Sequence, residues 1–286
     1  MTVDTRQRVK PFLKWAGGKR WLVSDHRTVF PKSYNRYFEP FLGSGAVFFG
    51  LCPSHAYLSD ANHDLIETYY AIRDDWRLVW ERLLWHRQRH SKEHYYRIRT
   101  SKPRTAASRA ARFIYLNRTC FNGLYRVNRQ GVFNVPKGTK DTVTFPDDDF
   151  STVANALRSA HLVCGDFEEV LYEAGAGDFV YVDPPYTVQH NQNNFIKYNE
   201  RLFCWEDQER LAAAVGEASR RGALVLVSNA DSPSIKRLYS AAEWNYAVLR
   251  RHSVLAAVVC KRQITTELAI ANYDLDGGCA EPSLSN

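Results

Sequence analysis

Short apolar runs alternate with longer amphipathic segments along the chain, and a turn residue or an acid follows most of the runs. Short β-favouring runs of this kind are typical of buried parallel strands. They predict strands at 37–39, 55–59, 161–164, 179–182 and 223–228, and late strands at 244–248 and 268–273. Apolar residues at helical spacing predict helices at 20–29, 65–83, 106–118 and 206–221, and one from a glycine turn through Leu51. The alternation predicts a Rossmann-like α/β sheet.

Charge is concentrated in one internal segment. The 286 residues carry a formal net charge of +7. From Arg73 to Lys140 there are 17 Lys and Arg against four Asp and Glu, whereas the rest of the chain has 21 against 27. A segment this basic, with aromatic residues between the charges, indicates a polyanionic partner such as nucleic acid. The alternative is a solvated helical surface.

The change from alternating strands and helices to a basic helical segment also predicts the domain organisation. We predict a discontinuous catalytic domain at 1–64 and 151–274, a mainly helical insert at 65–150, and a disordered tail at 275–286. No run is long enough to cross a bilayer, and the N-terminus lacks the apolar stretch of a signal peptide. The six cysteines form no CxxC pair, so we expect reduced thiols in a cytosolic protein and no zinc site.

Candidate chemistry lies in Asp183-Pro184-Pro185-Tyr186, directly after the strand predicted at 179–182. Ligands bind beyond the carboxyl ends of strands in open α/β sheets, and two prolines stiffen the backbone. The Asp183 carboxylate and the Pro184 carbonyl could each accept one N–H of an amine on an aromatic base, while Tyr186 stacks on the ring. A base in a duplex must be flipped out to reach them. The alternative is a plain turn.

A glycine turn, Gly43-Ser44-Gly45, follows the first strand, and Asp60 ends the second. Phe48 stands where a dinucleotide fingerprint needs its third glycine, so a pyrophosphate loop is not expected. Asp60 suits ribose hydroxyls, and together these residues suggest a nucleoside without phosphates, such as S-adenosylmethionine (AdoMet). A tight turn and a helix N-cap are the alternatives. Residues 12–19 are either a flexible loop or a loop that closes over a carboxylate-bearing cofactor with Trp15 and Lys19.

The chain resembles Dam-type, D12-class DNA adenine-N6 methyltransferases, from about Lys10 to Tyr273. The resemblance is carried by the motifs above together with Leu116-Asn117-Arg118, Phe121-Asn122-Gly123-Leu124-Tyr125-Arg126 and residues 131–136. It implies an AdoMet-dependent methyltransferase sheet with an inserted DNA-recognition domain, acting on double-stranded DNA as a cytoplasmic monomer without a metal. It favours GATC as the site.

The resemblance also implies roles for individual residues. Catalysis would depend on Asp183, Pro184, Pro185 and Tyr186. The implied cofactor contacts are Trp15, Lys19, Phe41, Gly43, Ser44, Gly45, Asp60, Asp166 and Asp183. The implied DNA contacts are Lys14, Arg118, Phe121, Asn122, Leu124, Arg126 and Pro136, with Phe121 and Asn122 filling the space of the flipped base.

Two departures from the family pattern stand out. Lys140 lies where an aromatic DNA contact is expected, and residues 256–259 are apolar where a polar loop is expected. Two other hypotheses remain open. One changes the acceptor, to adenine in RNA or to N4 of cytosine. The other is a binding module that occupies DNA without methylating it, against which Asp183 and the glycine turn argue.

Overall fold

The computed structural model describes residues 9–123, 125–128, 131–187, 203–252 and 264–275. Within them, the strands are β1 (Tyr37–Glu39), β2 (Ala56–Asp60), β3 (Ala160–Cys164), β4 (Phe179–Val182), β5 (Leu224–Ala230), β6 (Asn245–His252) and β7 (Ile264–Ala271). The helices are α1 (Arg20–Asp25), α2 (Ala46–Leu51), α3 (His63–Gln88), α4 (Lys92–Thr100), α5 (Ala106–Thr119), α6 (Phe150–Leu157), α7 (Phe167–Tyr172), α8 (Trp205–Arg220) and α9 (Pro233–Leu238).

The chain divides into two compact units. The first contains Met1–Val23 and Leu42–Gly165, and the second contains Ser24–Phe41 and Asp166–Asn286. Two of the described strands lie in the first unit, where they pair in parallel, and five lie in the second unit, where the pairing is mixed. The predicted α/β class is therefore confirmed. The assignment of 65–150 as a DNA-recognition insert stays a prediction, as does the predicted division into domains.

In the first unit, β2 and β3 pair in parallel, from Ala56 opposite Ala160 to Asp60 opposite Cys164. Helix α3 packs against α5 and α6. Its buried face includes Leu65, Tyr69, Ile72, Val79 and Leu83, the spacing from which the helix was predicted. Asn62 begins α3 by accepting the Leu65 N–H with its side chain, at 3.1 Å. The unit is thus a helical layer with a short parallel strand pair.

In the second unit the strand order is β1-β4-β5-β7-β6. Strands β1, β4 and β5 are parallel, and β7 runs antiparallel to both β5 and β6. All four residues of β4 are buried, which explains its uninterrupted apolar sequence. The carboxyl end of this central strand leads directly into Asp183.

Some element bounds differ from those predicted. The helix predicted at 20–29 ends as α1 at Asp25, and a single 3₁₀ turn follows at Arg27–Val29. Helix α3 continues to Gln88 and is kinked at Asp75, where φ is −149° and ψ is 70°. The tail predicted to be disordered and the apolar loop at 256–259 lie outside the described residues, apart from position 275. Among the residues described, no helix combines the length and apolar character needed to cross a bilayer.

Candidate active site

The tetrapeptide Asp183-Pro184-Pro185-Tyr186 lies where it was predicted, immediately after β4 in the second unit. Pro184 is buried, and Asp183 and Tyr186 are half-buried. The Tyr186 hydroxyl donates to the Glu267 carboxylate, with 2.7 Å between the two oxygens. Burial, followed by the charges of Asp183 and Glu267, raises the pKa of Tyr186 well above its ordinary value. Tyr186 is therefore a neutral phenol that donates a hydrogen bond.

The glycine turn and Asp60 meet in the first unit. Gly43 N donates to Asp60 Oδ2 at 3.0 Å, and Asn62 N donates to Asp60 Oδ1 at 2.9 Å. Burial raises the pKa of Asp60, and these two N–H groups partly oppose the effect. Because Asn62 caps α3, the helix-cap alternative for Asp60 is wrong. A half-buried carboxylate has more acceptor positions than these two bonds use, which suits ribose hydroxyls.

Close packing explains why glycine stands at position 43. Its φ is +48°, and a Cβ there would lie 2.8 Å from two atoms of the Trp15 indole. Gly45 also has a positive φ and begins α2, while Ser44 is buried. The Tyr69 hydroxyl donates to the Gly43 carbonyl at 3.0 Å. The turn and the indole therefore form one fitted surface in the first unit.

The N-terminal loop, residues 12–19, is tied to the last turn of α5. Asn117 Oδ1 accepts the Lys14 N–H at 2.9 Å, and Asn117 Nδ2 donates to the Lys14 carbonyl at 2.6 Å. Lys14 Nζ donates to the Arg118 carbonyl at 2.8 Å, and burial lowers the pKa of Lys14. Lys19 is buried, with Nζ donating to the Gly17 carbonyl at 2.9 Å. The loop is held in place at both lysines.

Arg118 contacts protein groups in this structure. Its side chain is fully buried and pairs with Asp148 through two bonds of 2.6 and 2.7 Å. It also donates to the Phe12 carbonyl at 3.1 and 2.8 Å and to the Val143 carbonyl at 3.0 Å. Direct contact with DNA would require this ion pair to open. The DNA contact implied for Arg118 stays a prediction.

Five other residues implied in DNA contact, at positions 121, 122, 124, 126 and 136, follow α5 along the chain. Phe121 is 52% exposed, and Asn122 adopts a left-handed φ of 55°. Phe121 N donates to the Pro136 carbonyl at 3.0 Å, which brings the turn beside the exposed Pro136. Arg126 is half-buried. Leu124 lies outside the described residues.

Phe41 and Asp166 belong to the second unit. The Phe41 ring stacks on Phe167, with 5.5 Å between centroids and 27° between planes. Asp166 begins α7 by accepting the Glu168 N–H at 3.0 Å. It also accepts a bond from Arg210 at 3.1 Å. The pattern of α8 predicted a helix there but contained no signal that Arg210 would meet Asp166, 44 positions earlier.

One cluster of metal-ligating groups occurs among the described residues. Ligand atoms of His63, Asp64 and Glu67 lie within 4.8 Å of one another. Asp64 accepts the Tyr125 hydroxyl at 3.0 Å, and Glu67 pairs with Arg109 at 2.9 and 3.0 Å. Protein donors therefore engage both carboxylates.

Comparison with known proteins agrees with the geometry. Residues 15–252 match the family model described as D12 class N6 adenine-specific DNA methyltransferase. The chain is 36% identical to the type II methyltransferase M1.LlaDCHI of Lactococcus lactis subsp. cremoris, over 93% of this chain and 96% of that protein. It is 37% identical to the type II methyltransferase M.MjaIII of Methanocaldococcus jannaschii, over 77% and 84%. It is 34% identical to the DNA adenine methylase of Escherichia coli strain K12, over 85% and 88%.

The match covers both the glycine turn with Asp60 and the tetrapeptide after β4. With the relatives spanning most of both chains, the chain belongs to the D12 class of N6 adenine-specific DNA methyltransferases.

Proposed function

We propose that this protein transfers a methyl group from AdoMet to N6 of an adenine flipped out of duplex DNA, within GATC. The observation that carries the proposal is Asp183-Pro184-Pro185-Tyr186 at the carboxyl end of β4, in a chain of the adenine methyltransferase family. Family membership supports DNA as the substrate. AdoMet as donor, base flipping and the site sequence are parts of the proposal.

The acceptor half of the chemistry falls to the second unit. The Asp183 carboxylate and the Pro184 carbonyl each accept one N–H of the adenine amine, which directs the nitrogen lone pair out of the ring plane. Tyr186 stacks on the flipped base. The neutral phenol of Tyr186 is compatible with this role, because burial and two nearby carboxylates oppose its ionisation. No strong base is required before attack, and the proton that N6 releases on methylation passes to the Asp183 carboxylate or to solvent.

Gly43, Trp15 and Asp60 of the first unit have the chemistry that AdoMet requires. Gly43 lacks the Cβ that would strike Trp15, so the indole packs directly against the glycine turn. Asp60 presents a carboxylate, oriented by two backbone N–H groups, to ribose hydroxyls. A nucleoside with an uncharged ribose fits this donor set. AdoMet supplies, when bound, an electrophilic methyl group on a sulfonium sulfur.

The remaining cofactor and DNA residues extend the proposal. Phe41, Asp166, Lys19, Ser44 and Gly45 are the other residues that we propose as cofactor contacts. Lys14, Arg126 and Pro136, with Leu124, would read bases, and Phe121 and Asn122 would fill the space of the flipped adenine. The exposed Phe121 ring supports that role. Residues 65–150 would form the recognition domain. The monomeric state stays a prediction.

The test is direct. Purified protein receives radiolabelled AdoMet and duplexes with GATC or each single-base variant of it, followed by nucleoside analysis. We expect label in N6-methyladenine with GATC only. Label in N4-methylcytosine, or in an RNA duplex alone, would support the alternative acceptors. DNA binding with no transfer would support a binding module and overturn the proposal.

Asp183→Ala tests the acceptor role. We expect transfer to be abolished because the amine loses its charged acceptor, while DNA affinity persists. Glu217→Gln, at an exposed side chain of α8, is the control and should keep full activity. Turnover that survives in Asp183→Ala would refute the role of the carboxylate.

A further inference from the structure

Two consecutive prolines leave the tetrapeptide at 183–186 with few backbone hydrogen-bond donors. Pro184 and Pro185 have no N–H, so neither can donate a backbone hydrogen bond. This part of the loop can be anchored only through its carbonyls and through neighbouring side chains. The described part of the second unit shows two such anchors, one on α8 with β5 and one on β7.

The first anchor is Gln208 of α8, which is fully buried. Its Nε2 donates to the Pro185 carbonyl at 3.2 Å, and its Oε1 accepts from Asn229 Nδ2 at 3.0 Å. Asn229, also fully buried, accepts the Ala230 N–H with Oδ1 at 2.8 Å. The bonded carbonyl is that of Pro185, whereas the proposed amine acceptor is that of Pro184.

The groups at the two ends of this hydrogen-bonded series determine which atom of each amide donates and which accepts. The Ala230 N–H can only donate, and the Pro185 carbonyl can only accept. Each amide between them must therefore present its oxygen toward Ala230 and its nitrogen toward Pro185. If either Gln208 or Asn229 were flipped, two oxygens or two N–H groups would face each other. The orientation of Gln208 is consequently fixed by the network.

The second anchor is Glu267 of β7, which is 3% exposed. It accepts the Tyr186 hydroxyl at 2.7 Å. Glu267 lies opposite Ala230 in the β5–β7 register, next to the strand position of Asn229. Both anchors therefore begin on neighbouring strands, and side chains on packed strands and helices hold a site more rigidly than loops do.

We infer that Gln208, Asn229 and Glu267 are positioning residues for methyl transfer. Glu267 sets the ring plane of Tyr186, and Gln208, oriented by Asn229, sets the Pro185 carbonyl. Both contacts lie after Pro184, at the Pro185 carbonyl and the Tyr186 hydroxyl, and β4 ends directly before Asp183. Together they hold Asp183 and the Pro184 carbonyl in place for the amine. This inference rests on the proposed function.

The experiment measures single-turnover methyl transfer to a GATC duplex, DNA affinity, and the fluorescence of 2-aminopurine at the target position. Glu267→Ala should slow transfer by about 10- to 100-fold, since a misplacement on the order of 1 Å has that effect. Its DNA affinity should be unchanged, while 2-aminopurine emission should shift because the stacking ring is no longer held. Glu267→Gln keeps an oxygen that accepts the phenol hydrogen and should recover most of the rate.

Two further comparisons separate positioning from a general structural role. The double variant Tyr186→Phe/Glu267→Ala should be no slower than the slower single variant, because both changes remove one contact. Gln208→Glu keeps the shape but removes the donor to Pro185, and it should also slow transfer without loss of DNA affinity. Glu217→Gln, on the same helix as Gln208, is the control.

The activity of the wild-type protein distinguishes a failure of the proposed function from a failure of this inference. Wild-type protein that forms no N6-methyladenine overturns the proposed function and this inference with it. If wild-type protein is active and the Glu267→Ala and Gln208→Glu variants transfer the methyl group at the wild-type rate, the inference alone is overturned. The same applies if the Tyr186 and Glu267 effects multiply, or if the loss of rate follows a loss of DNA affinity and thermal stability.

Discussion

At the scale of single residues, backbone conformation and burial set what a side chain can do. Gly43 combines a left-handed φ with an indole that leaves no room for a Cβ. Asp60 accepts the Gly43 N–H and stays partly buried. Gly43 and Asp60 therefore belong to the fitted surface that the glycine turn forms with Trp15 in the first unit.

Gly43→Ala should abolish AdoMet binding. The new methyl would lie 2.8 Å from Trp15, and the turn would hold the alanine at a left-handed φ, which is strained for a residue with a Cβ. Gly216→Ala is the matched control, because nothing lies within 4 Å of its Cβ and it is inside α8. It should raise the free energy of unfolding by about 0.5–1 kcal/mol. Calorimetric titration measures the AdoMet affinity of each variant, and urea unfolding measures its free energy of unfolding. AdoMet binding that survives Gly43→Ala would contradict the fitted surface.

Asp60 should make AdoMet binding sensitive to acid. Its pKa is raised by burial, so the ionised, accepting form is present above that raised pKa and is lost as the pH falls through it. We expect affinity to fall at a higher pH than the ordinary Asp pKa would predict. Calorimetric titration over a pH series measures this.

The control for that series is Asp60→Asn, which cannot titrate. It should bind AdoMet more weakly and show no step in the same pH range. A step that is still present in Asp60→Asn would assign the titration to another group.

At the scale of elements, the last turn of α5 joins three segments of the first unit. Asn117 bonds both the N–H and the carbonyl of Lys14, and Arg118 joins Phe12, Val143 and Asp148. Residues far apart in sequence thus meet at one helix end. The turn that we propose to read DNA begins immediately after it, so this helix end sets where the turn starts.

Breaking the Arg118–Asp148 pair should therefore destabilise the protein strongly. Arg118→Ala leaves Asp148, which is 4% exposed, with a buried charge and no cation, and the expected loss is about 3–5 kcal/mol. Glu217→Gln breaks the exposed pair with Arg220 and should cost about 0–1 kcal/mol. Urea unfolding of both variants decides the matter. Equal, small losses would show that the buried pair contributes little.

At the scale of the whole molecule, the positive excess lies in one stretch of the first unit. The segment from Arg73 to Lys140 has 17 basic and four acidic residues. Several of these cations also pair within the protein, as Arg109 does with Glu67. Enough charge is left over for an electrostatic contribution to DNA binding.

DNA affinity should consequently fall steeply with salt. If six to ten phosphates are contacted, raising the salt from about 50 to about 200 mM should weaken binding by about 10³- to 10⁵-fold. Fluorescence anisotropy of a labelled GATC duplex measures this. AdoMet affinity in the same buffers is the control and should change little. A salt slope near zero would argue against the basic segment as the DNA surface.

Local patterns predicted most of the fold. Every predicted strand is present with small shifts in its bounds, because apolar runs and turn residues act within a few positions. Helices α4, α6, α7 and α9 were missed. They are short, and α4 (Lys92–Thr100) is rich in charged residues and begins at a Ser91 cap rather than with an apolar stripe.

Sequence alone determined the chemical groups of this protein, including the acid, the two prolines and the tyrosine after a buried strand, and the glycines before a helix. Tertiary structure alone decided which groups meet. Tyr186 finds Glu267 across 81 positions, and Arg118 finds Asp148 inside the protein. The physical reason is that a side chain's partner, burial and pKa depend on how distant segments pack, and no local pattern contains that information.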